Sequence, residues 1–251
     1  MSEAAGDATF RRVADADPSD AIIIEGLPGQ GLVASIAVDH ITKQLELEHF
    51  GSISADAFPP VVTFDNGIVH DLVRVYASES PAVMTLQSDL ALPPQSFEAL
   101  SHCVQQDLYD HVRKAIFIAG APAESEEQIG EIRAVATNER VKAELEAADV
   151  PIAEHHGIVG GNTGALMRSC YRADADAAML IVRAHPRLPD PTAAIAVIEQ
   201  ALEPLVDFEI DTTELEDHAE EIQSQMRQIA QQYEQVSDQG GRDRRALGMY
   251  Q

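Results

Sequence analysis

Two glycine-rich segments contain the residues whose types and spacing best fit ligand-binding chemistry. The first, GLPGQGLVA over residues 26–34, places Gly26, Gly29 and Gly31 between an apolar run and an amphipathic one. Its second half fits G-x-G-x-x-A, a spacing that turns backbone N–H groups and a helix N-terminus toward a pyrophosphate. Pro28 removes one N–H group from that turn. The alternative interpretation is a tight strand-to-helix turn that needs glycine for its backbone angles.

The second segment, HHGIVGGNTGALMRSC over residues 155–170, also precedes a predicted helix. Its glycines are Gly157, Gly160, Gly161 and Gly164. Asn162 and Thr163 supply polar groups that can hydrogen-bond or cap that helix. His155 and His156 are adjacent, so on a strand they would face opposite sides and form a poor joint metal site. We therefore predict no metal, no cofactor and no catalytic residues, since no Ser/His/Asp or Cys/His spacing indicates a reactive set.

Strands and helices alternate around these segments. AIIIEG over 21–26 predicts a buried strand, and LVASIAVDHITKQL over 32–45 predicts a helix. Further predicted elements are a hairpin over 64–78 turning at Asn66-Gly67, strands over 82–88, 114–121 and 178–185, and helices over 95–113, 138–148 and from Asp190-Pro191 onward. All-apolar strands alternating with helices predict a mostly parallel sheet covered on both faces, a three-layer α/β/α sandwich spanning residues 1–206.

The last part of the chain has a different pattern. Residues 207–237 hold an apolar seam at alternating spacings of four and three, which predicts a long heptad-patterned helix. The seam residues are Leu215, Ala219, Ile222, Met226, Ile229, Tyr233 and Val236. This seam packs either on its own domain or on a partner subunit. Residues 238–251 contain Gly240, Gly241 and Gly248, which predict a flexible tail.

The composition restricts the possible functions. The chain has 251 residues and a formal net charge of -25, with lysine nearly absent. This acid excess predicts a salt-adapted, halophilic cytoplasmic protein, and it argues against a nucleic-acid interface because phosphate binding needs a basic face. The sequence predicts neither a signal peptide nor a membrane span. Cys103 and Cys170 fit no metal spacing, and we expect both to be buried small hydrophobes.

Both glycine-rich segments resemble a known family. IIIEGLPGQGLVASIAVDHI resembles the N-terminal signature of the archaeal proteasome assembly chaperones: a strand, a G-x-P-G-x-G-L-V turn and a helix. GIVGGNTGALM resembles that family's second glycine-rich element, with Ala34 standing where the first would have another glycine. The resemblance covers roughly residues 20–206. It implies a phosphorylase-like sandwich, assembly with itself or with a paralogous chaperone subunit, and no enzymatic activity.

The final residues resemble a docking motif. Met249-Tyr250-Gln251 fits the hydrophobic-Tyr-X ending shared by proteasome activators and some assembly chaperones. The resemblance implies a pocket between two 20S α-subunits, where a basic side chain pairs with the Gln251 carboxylate and the Tyr250 ring is buried. Arg242, Arg244 and Arg245 are then expected to contact an acidic rim.

The expected function is therefore that of a proteasome-binding assembly chaperone or ATP-independent activator. An alternative from another class is a nucleoside-phosphorylase-like or nucleotide-binding enzyme that uses both glycine-rich segments. A third is a multimeric scaffold that does not bind the proteasome.

Overall fold

The computed structural model describes residues 8–15, 18–217 and 219. The chain divides into two units, Met1–Asp211 and Thr212–Gln251. The first unit contains the sheet, its covering helices and both glycine-rich segments, so the candidate site belongs to it.

Most of the described strands join one large mixed sheet. The strands are β1 (Thr9–Arg12), β2 (Ala21–Gly26), β3 (Glu48–Ser54), β4 (Thr63–Asp65), β5 (Ile68–His70), β6 (Val73–Glu79), β7 (Ala82–Ser88), β8 (Val112–Pro122), β9 (Ile132–Ala136) and β10 (Ala177–Ala184). Among the described residues, eight strands pair in the order β1-β3-β6-β7-β2-β8-β10-β9. The predicted parallel sheet is confirmed at the centre, where β7, β2, β8 and β10 run parallel.

Antiparallel strands flank this centre on both sides. The connection between β6 and β7 shows why, because only Ser80 and Pro81 separate the two strands. A connection that short forces antiparallel pairing, whereas a parallel crossover needs a dozen or more residues.

Helices cover both faces of the sheet, as predicted. They are α1 (Val33–Gln44), α2 (Phe97–Cys103), α3 (Glu139–Ala147), α4 (Gly161–Arg172), α5 (Pro191–Val197) and α6 (Glu203–Val206). Ile23 of β2 shares a core cluster with Leu100 of α2 and Leu166 of α4. Ile22 and Ile24 point to the opposite face by strand alternation, and on that side α1 packs against both β2 and α5. The result is a three-layer α/β/α sandwich.

Several local predictions are confirmed. Asn66 and Gly67 take positive φ angles of 48° and 79°, the combination that a two-residue hairpin turn requires, and they join β4 to β5. The hairpin ends at His70 and not at the predicted residue 78, because Val73–Glu79 forms β6 of the large sheet. Asp190 caps α5, because its Oδ1 accepts a hydrogen bond from the Ala193 N–H at 3.0 Å, with Pro191 at the first helical position. The helix predicted over 138–148 is α3, and Asn138 caps it through the Val141 N–H, a cap that was not predicted.

The helix predicted over 95–113 was too long. Its α-helical part ends at Cys103 and continues as a π-helical turn over Val104–Leu108 and a 3-10 turn over Tyr109–His111. Val104 and Leu108 are buried, so the apolar periodicity persists after the α-helix ends. The chain becomes extended at Val112 because that residue already pairs with Ala21 of β2.

The second unit is described only at its beginning. Residues 213–217 are helical and residues 207–212 are not, so the helix predicted from residue 207 begins later than expected. Leu215 and Ala219, the first two seam positions, are buried. The remaining seam positions and the predicted tail over 238–251 lie outside the described residues.

Candidate functional site

Both glycine-rich segments lie at the edge of the sheet where its central parallel strands end. This edge is where open α/β sheets commonly bind ligands. A cleft of about 1980 Å³ opens there, and residues of both segments line it. The predicted site residues in its lining are Pro28, Gly29, Gly157, Gly160, Gly161 and Gly164. We call residues 26–32 the first glycine loop and residues 157–164 the second glycine loop.

Close packing requires glycine at two positions of the first glycine loop, whereas nothing in the described structure lies within 4 Å of a Cβ atom built on Gly29. A Cβ atom on Gly26 would lie 2.5 Å from the Val38 Cβ atom of α1, so the bare backbone lets α1 pack against β2. Gly31 has a φ angle of 64°, and a Cβ atom there would lie 2.8 Å from the Ala184 Cβ atom. Gly26 therefore allows α1 to pack closely on β2, and Gly31 allows the positive φ angle of the turn.

Hydrogen bonds fix the first glycine loop to the body of the protein. The Gln30 side-chain amide donates to the His185 carbonyl oxygen at 2.9 Å. The Asp190 backbone N–H donates to the Gly31 carbonyl oxygen at 2.8 Å. Because both contacts hold the loop on the β10 side of the sheet, its geometry favours the tight-turn interpretation over a pyrophosphate cradle.

The second glycine loop is open at three of its glycines, whereas a Cβ atom on Gly164 would lie too close to the Val159 carbonyl oxygen. Within the described residues, nothing lies within 4 Å of a Cβ atom built on Gly157, Gly160 or Gly161. Ile158, between these glycines, is 90% exposed. Gly160 stands at the N-cap of α4, and no side chain of the described chain makes a capping hydrogen bond there. The first N–H groups of α4 are thus available at the cleft.

Asn162 and Thr163 lie inside the first turn of α4 and differ in their contacts. The Thr163 hydroxyl donates to Glu25 Oε1 at 3.1 Å, so the expected hydrogen bonding is confirmed for Thr163. Asn162 lines the cleft but does not cap the helix. Its Oδ1 atom is buried and has no hydrogen-bond partner in the described part of the chain.

Glu25 is a functional candidate that sequence reasoning missed. It is 1% exposed in β2, beneath the second glycine loop. Burial raises the pKa of Glu25 to about 8, against the opposing effect of hydrogen bonds from Thr163 and from the Ile118 and Leu27 N–H groups. Glu25 is therefore mostly neutral at pH 7. The available signal was a lone carboxyl in the otherwise apolar run AIIIEG, since a strand buried on both faces rarely holds a charge.

The rest of the cleft combines an apolar lining with charged residues. Its apolar residues from the sheet and α4 include Val135, Met167, Met179 and Ile181. Its cationic residues are Arg133 of β9, Lys142 of α3 and Arg183 of β10, and its acidic residues are Glu131, Glu146, Asp149 and Glu154. These residues come from four separate parts of the chain, so the sequence alone gave no signal that they share a site.

The remaining candidate groups do not extend the site. Among the described residues, no three His, Cys, Asp or Glu side chains cluster closely enough to hold a metal ion. Cys103 and Cys170 are buried as predicted, and burial raises their pKa values to about 12 and about 11. His155 and His156 are exposed. None of the helices in the described ranges combines the length and apolar character needed to cross a bilayer.

The predicted docking residues lie outside the described residues. They are Arg242, Arg244, Arg245, Met249, Tyr250 and Gln251. The described structure therefore brings together the glycine-rich part of the predicted site, and the predicted docking motif stays a sequence-based prediction.

Comparisons with known proteins give consistent results. The model of the PAC2 family matches residues 23–230. The uncharacterized protein MJ0106 of Methanocaldococcus jannaschii is 28% identical over 214 residues, which cover 84% of this chain and 86% of that protein.

Two solved structures from Pyrococcus furiosus have the same fold. PbaA, described as an archaeal homolog of proteasome-assembly chaperone, aligns with a TM-score of 0.80 and 26% identity over 97% of this chain and 100% of its own. PbaB, described as an archaeal proteasome activator, aligns with a TM-score of 0.79 and 23% identity over 90% of this chain and 99% of its own.

Proposed function

This chain belongs to the PAC2 family, and from that premise we propose that it is a proteasome-binding protein that acts as an assembly chaperone or an ATP-independent activator. The observation that supports this most strongly is the likeness to PbaA, with 26% identity over 97% of this chain. A shared fold alone does not establish a shared role. Here the sequences are also 26% identical over nearly the whole chain, and this identity supports a shared role.

We further propose that the C-terminal residues make the contact with the 20S α-ring. Met249 and Tyr250 supply apolar and aromatic surface, and the Gln251 carboxylate pairs with a basic side chain between two α-subunits. Arg242, Arg244 and Arg245 would meet acidic side chains on the α-subunits, adding charge complementarity. This part of the proposal rests on the sequence motif.

Assembly of this chain with itself, or with a paralogous subunit, would strengthen such a contact. Several tails on one oligomer raise the effective concentration and can add about 10²–10⁴ in avidity. The β4–β5 hairpin offers a surface for assembly because it and the residues before it expose apolar side chains. These are Val61, Val62, Phe64, Ile68 and Val69, and Phe64 is 79% exposed. Contiguous apolar exposure of this kind marks protein contacts.

A pull-down with purified 20S proteasome tests the proposal. The intact chain is compared with one that lacks Met249–Gln251, with Tyr250→Ala and with Tyr250→Phe. We expect the truncation and Tyr250→Ala to abolish capture, while Tyr250→Phe keeps most of it because only the hydroxyl is lost. Failure of the intact chain to bind 20S would refute the proposal, and full capture of the truncated chain would refute tail docking.

A further inference from the structure

We propose that the cleft binds the carboxyl-terminal end of a peptide, with the terminal carboxylate at the start of α4 and an apolar side chain against β9 and β10. This site is separate from the C-terminal motif of the chain itself. The proposal rests on the glycine loops and the sheet, and it is independent of proteasome docking.

The start of α4 favours an anion. The helix has twelve residues, Gly161–Arg172, and its first turn contains no acidic side chain. Its N-cap is Gly160, so its first N–H groups receive no capping oxygen from any side chain in the described ranges. Unpaired N–H groups and the helix dipole together attract negative charge, and a carboxylate satisfies both.

Asn162 indicates what must stand beside that anion. This residue is 9% exposed and lines the cleft, and its Oδ1 atom is without a hydrogen-bond partner among the described residues. A buried acceptor of this kind calls for a donor. An ionised carboxylate only accepts, so the ligand must carry an N–H or O–H group close to its negative charge. The amide N–H of a C-terminal peptide residue stands next to the carboxylate and provides that donor.

The size and lining of the cleft select a peptide over a small oxyanion. Hydrogen phosphate also combines acceptors with a donor, but it would leave Val135, Met167 and Ile181 uncovered. The volume of about 1980 Å³ exceeds the roughly 300–1,000 Å³ of a typical small-molecule pocket. An extended chain rises about 3.3 Å per residue, so the cleft has room for several residues with apolar side chains.

Glu25 keeps the region beneath the carboxylate uncharged. It contacts Thr163 of α4 and the Ile118 N–H of β8, and the Leu27 N–H also stabilises its ionised form. Within the described part of the chain, no charged side chain is among the groups that shift its pKa. A neutral Glu25 does not oppose an anion at α4, whereas an ionised one would repel it.

Fluorescence anisotropy with two labelled probes tests the proposal on the unaltered full chain. The probes are the hexapeptide Gly-Ala-Ser-Leu-Ala-Leu, labelled at its amino end, as the free acid and as the carboxamide. We expect the free acid to bind at least tenfold more tightly than the amide, and its affinity to fall between pH 7 and pH 9. Equal affinities for acid and amide would overturn the proposal without any variant having to fold.

Variants then locate the binding site. Asn162→Asp replaces the side-chain amide by a carboxylate of the same shape, which is negatively charged. The free-acid peptide should therefore bind at least tenfold more weakly. Gln105→Glu is the matched control, because it also exchanges an amide for a carboxylate, its Oε1 can still accept from the Ser169 hydroxyl, and this position is not part of the cleft lining. Glu25→Gln should flatten the pH dependence. Unchanged binding by Asn162→Asp, or equally tight binding of inorganic phosphate alone, would contradict the peptide assignment.

Discussion

The two glycine loops have similar compositions and opposite surroundings. The first is fixed by hydrogen bonds from Gln30 to His185 and from Asp190 to Gly31, and a Cβ atom added at Gly26 or Gly31 would overlap a neighbour. The second leaves open space around Gly157 and Gly160 within the described structure. Glycine therefore allows close packing in the first loop, while in the second it leaves backbone groups accessible.

This difference shows why a glycine motif alone does not identify a binding loop. G-x-G-x-x-A in the first loop fits a pyrophosphate fingerprint, yet Gly31 of that motif is required by its positive φ angle and by the approach of Ala184. The second loop fits no such fingerprint, but it opens α4 beside a large cleft. Glu25 links the two, since it lies just before the first loop and accepts a hydrogen bond from Thr163 in the second.

The largest expected effect is the change of stability with pH that the buried Glu25 causes. Because the pKa of Glu25 rises from 4.5 to about 8 on folding, folding favours its protonated form. Its contribution to stability is complete below pH 4.5, falls by about 1.4 kcal/mol per pH unit as the pH rises, and is lost above about pH 8. Glu25→Gln should remove this part of the pH dependence. Urea unfolding from pH 5 to pH 9 gives the free energy of unfolding at each pH. If this free energy changed with pH by the same amount in both proteins, the assigned burial of Glu25 would be contradicted.

A pair of alanine substitutions tests the contrast between the loops. Gly26→Ala should destabilise the fold by about 1–3 kcal/mol, because the new Cβ atom would push α1 away from β2. Gly157→Ala should change stability by less than about 0.5 kcal/mol, since nothing in the described structure stands near that position. Urea midpoints at one salt concentration provide the comparison. Equal losses of stability from Gly26→Ala and Gly157→Ala would contradict the distinction between a packed first loop and an open second loop.

The smallest expected effect is an absence of nucleotide binding. The first loop contains Pro28 and is fixed by the contacts of Gln30 and Gly31, so it presents no phosphate cradle, and the second loop is assigned to a peptide carboxylate. We expect calorimetry with ATP, NAD and nucleosides at high salt to detect no micromolar affinity. A micromolar dissociation constant for any of them would favour the enzyme alternative.

Much of the fold could be predicted from the sequence because its signals are local. The apolar run 21–26, the Asn66-Gly67 turn and the Asp190 cap each act within a few residues, and all three predictions are confirmed. The positions of β1 and β9 at the two antiparallel flanks depend on pairing with strands that are distant in the sequence. Local periodicity does not reveal which strands pair, so these positions were not predicted.

The candidate site was predictable in part for the same reason. Both glycine loops were identified because each stands before a helix. Arg133, Arg183 and Glu25 were missed because their roles depend on which strands become neighbours in the sheet. The raised pKa of Glu25 follows from burial of a strand that was predicted to be buried, but its contact with Thr163 depends on how α4 packs on the sheet.

The central claim is that the chain binds the proteasome through its last residues and not through its glycine loops. The most direct test is the affinity of 20S proteasome for a chain with one alanine appended after Gln251. This change moves the terminal carboxylate and leaves every native side chain in place, and Gly157→Ala serves as the loop control. We predict at least a tenfold loss for the extended chain and unchanged binding for Gly157→Ala. Full affinity of the extended chain would contradict the account.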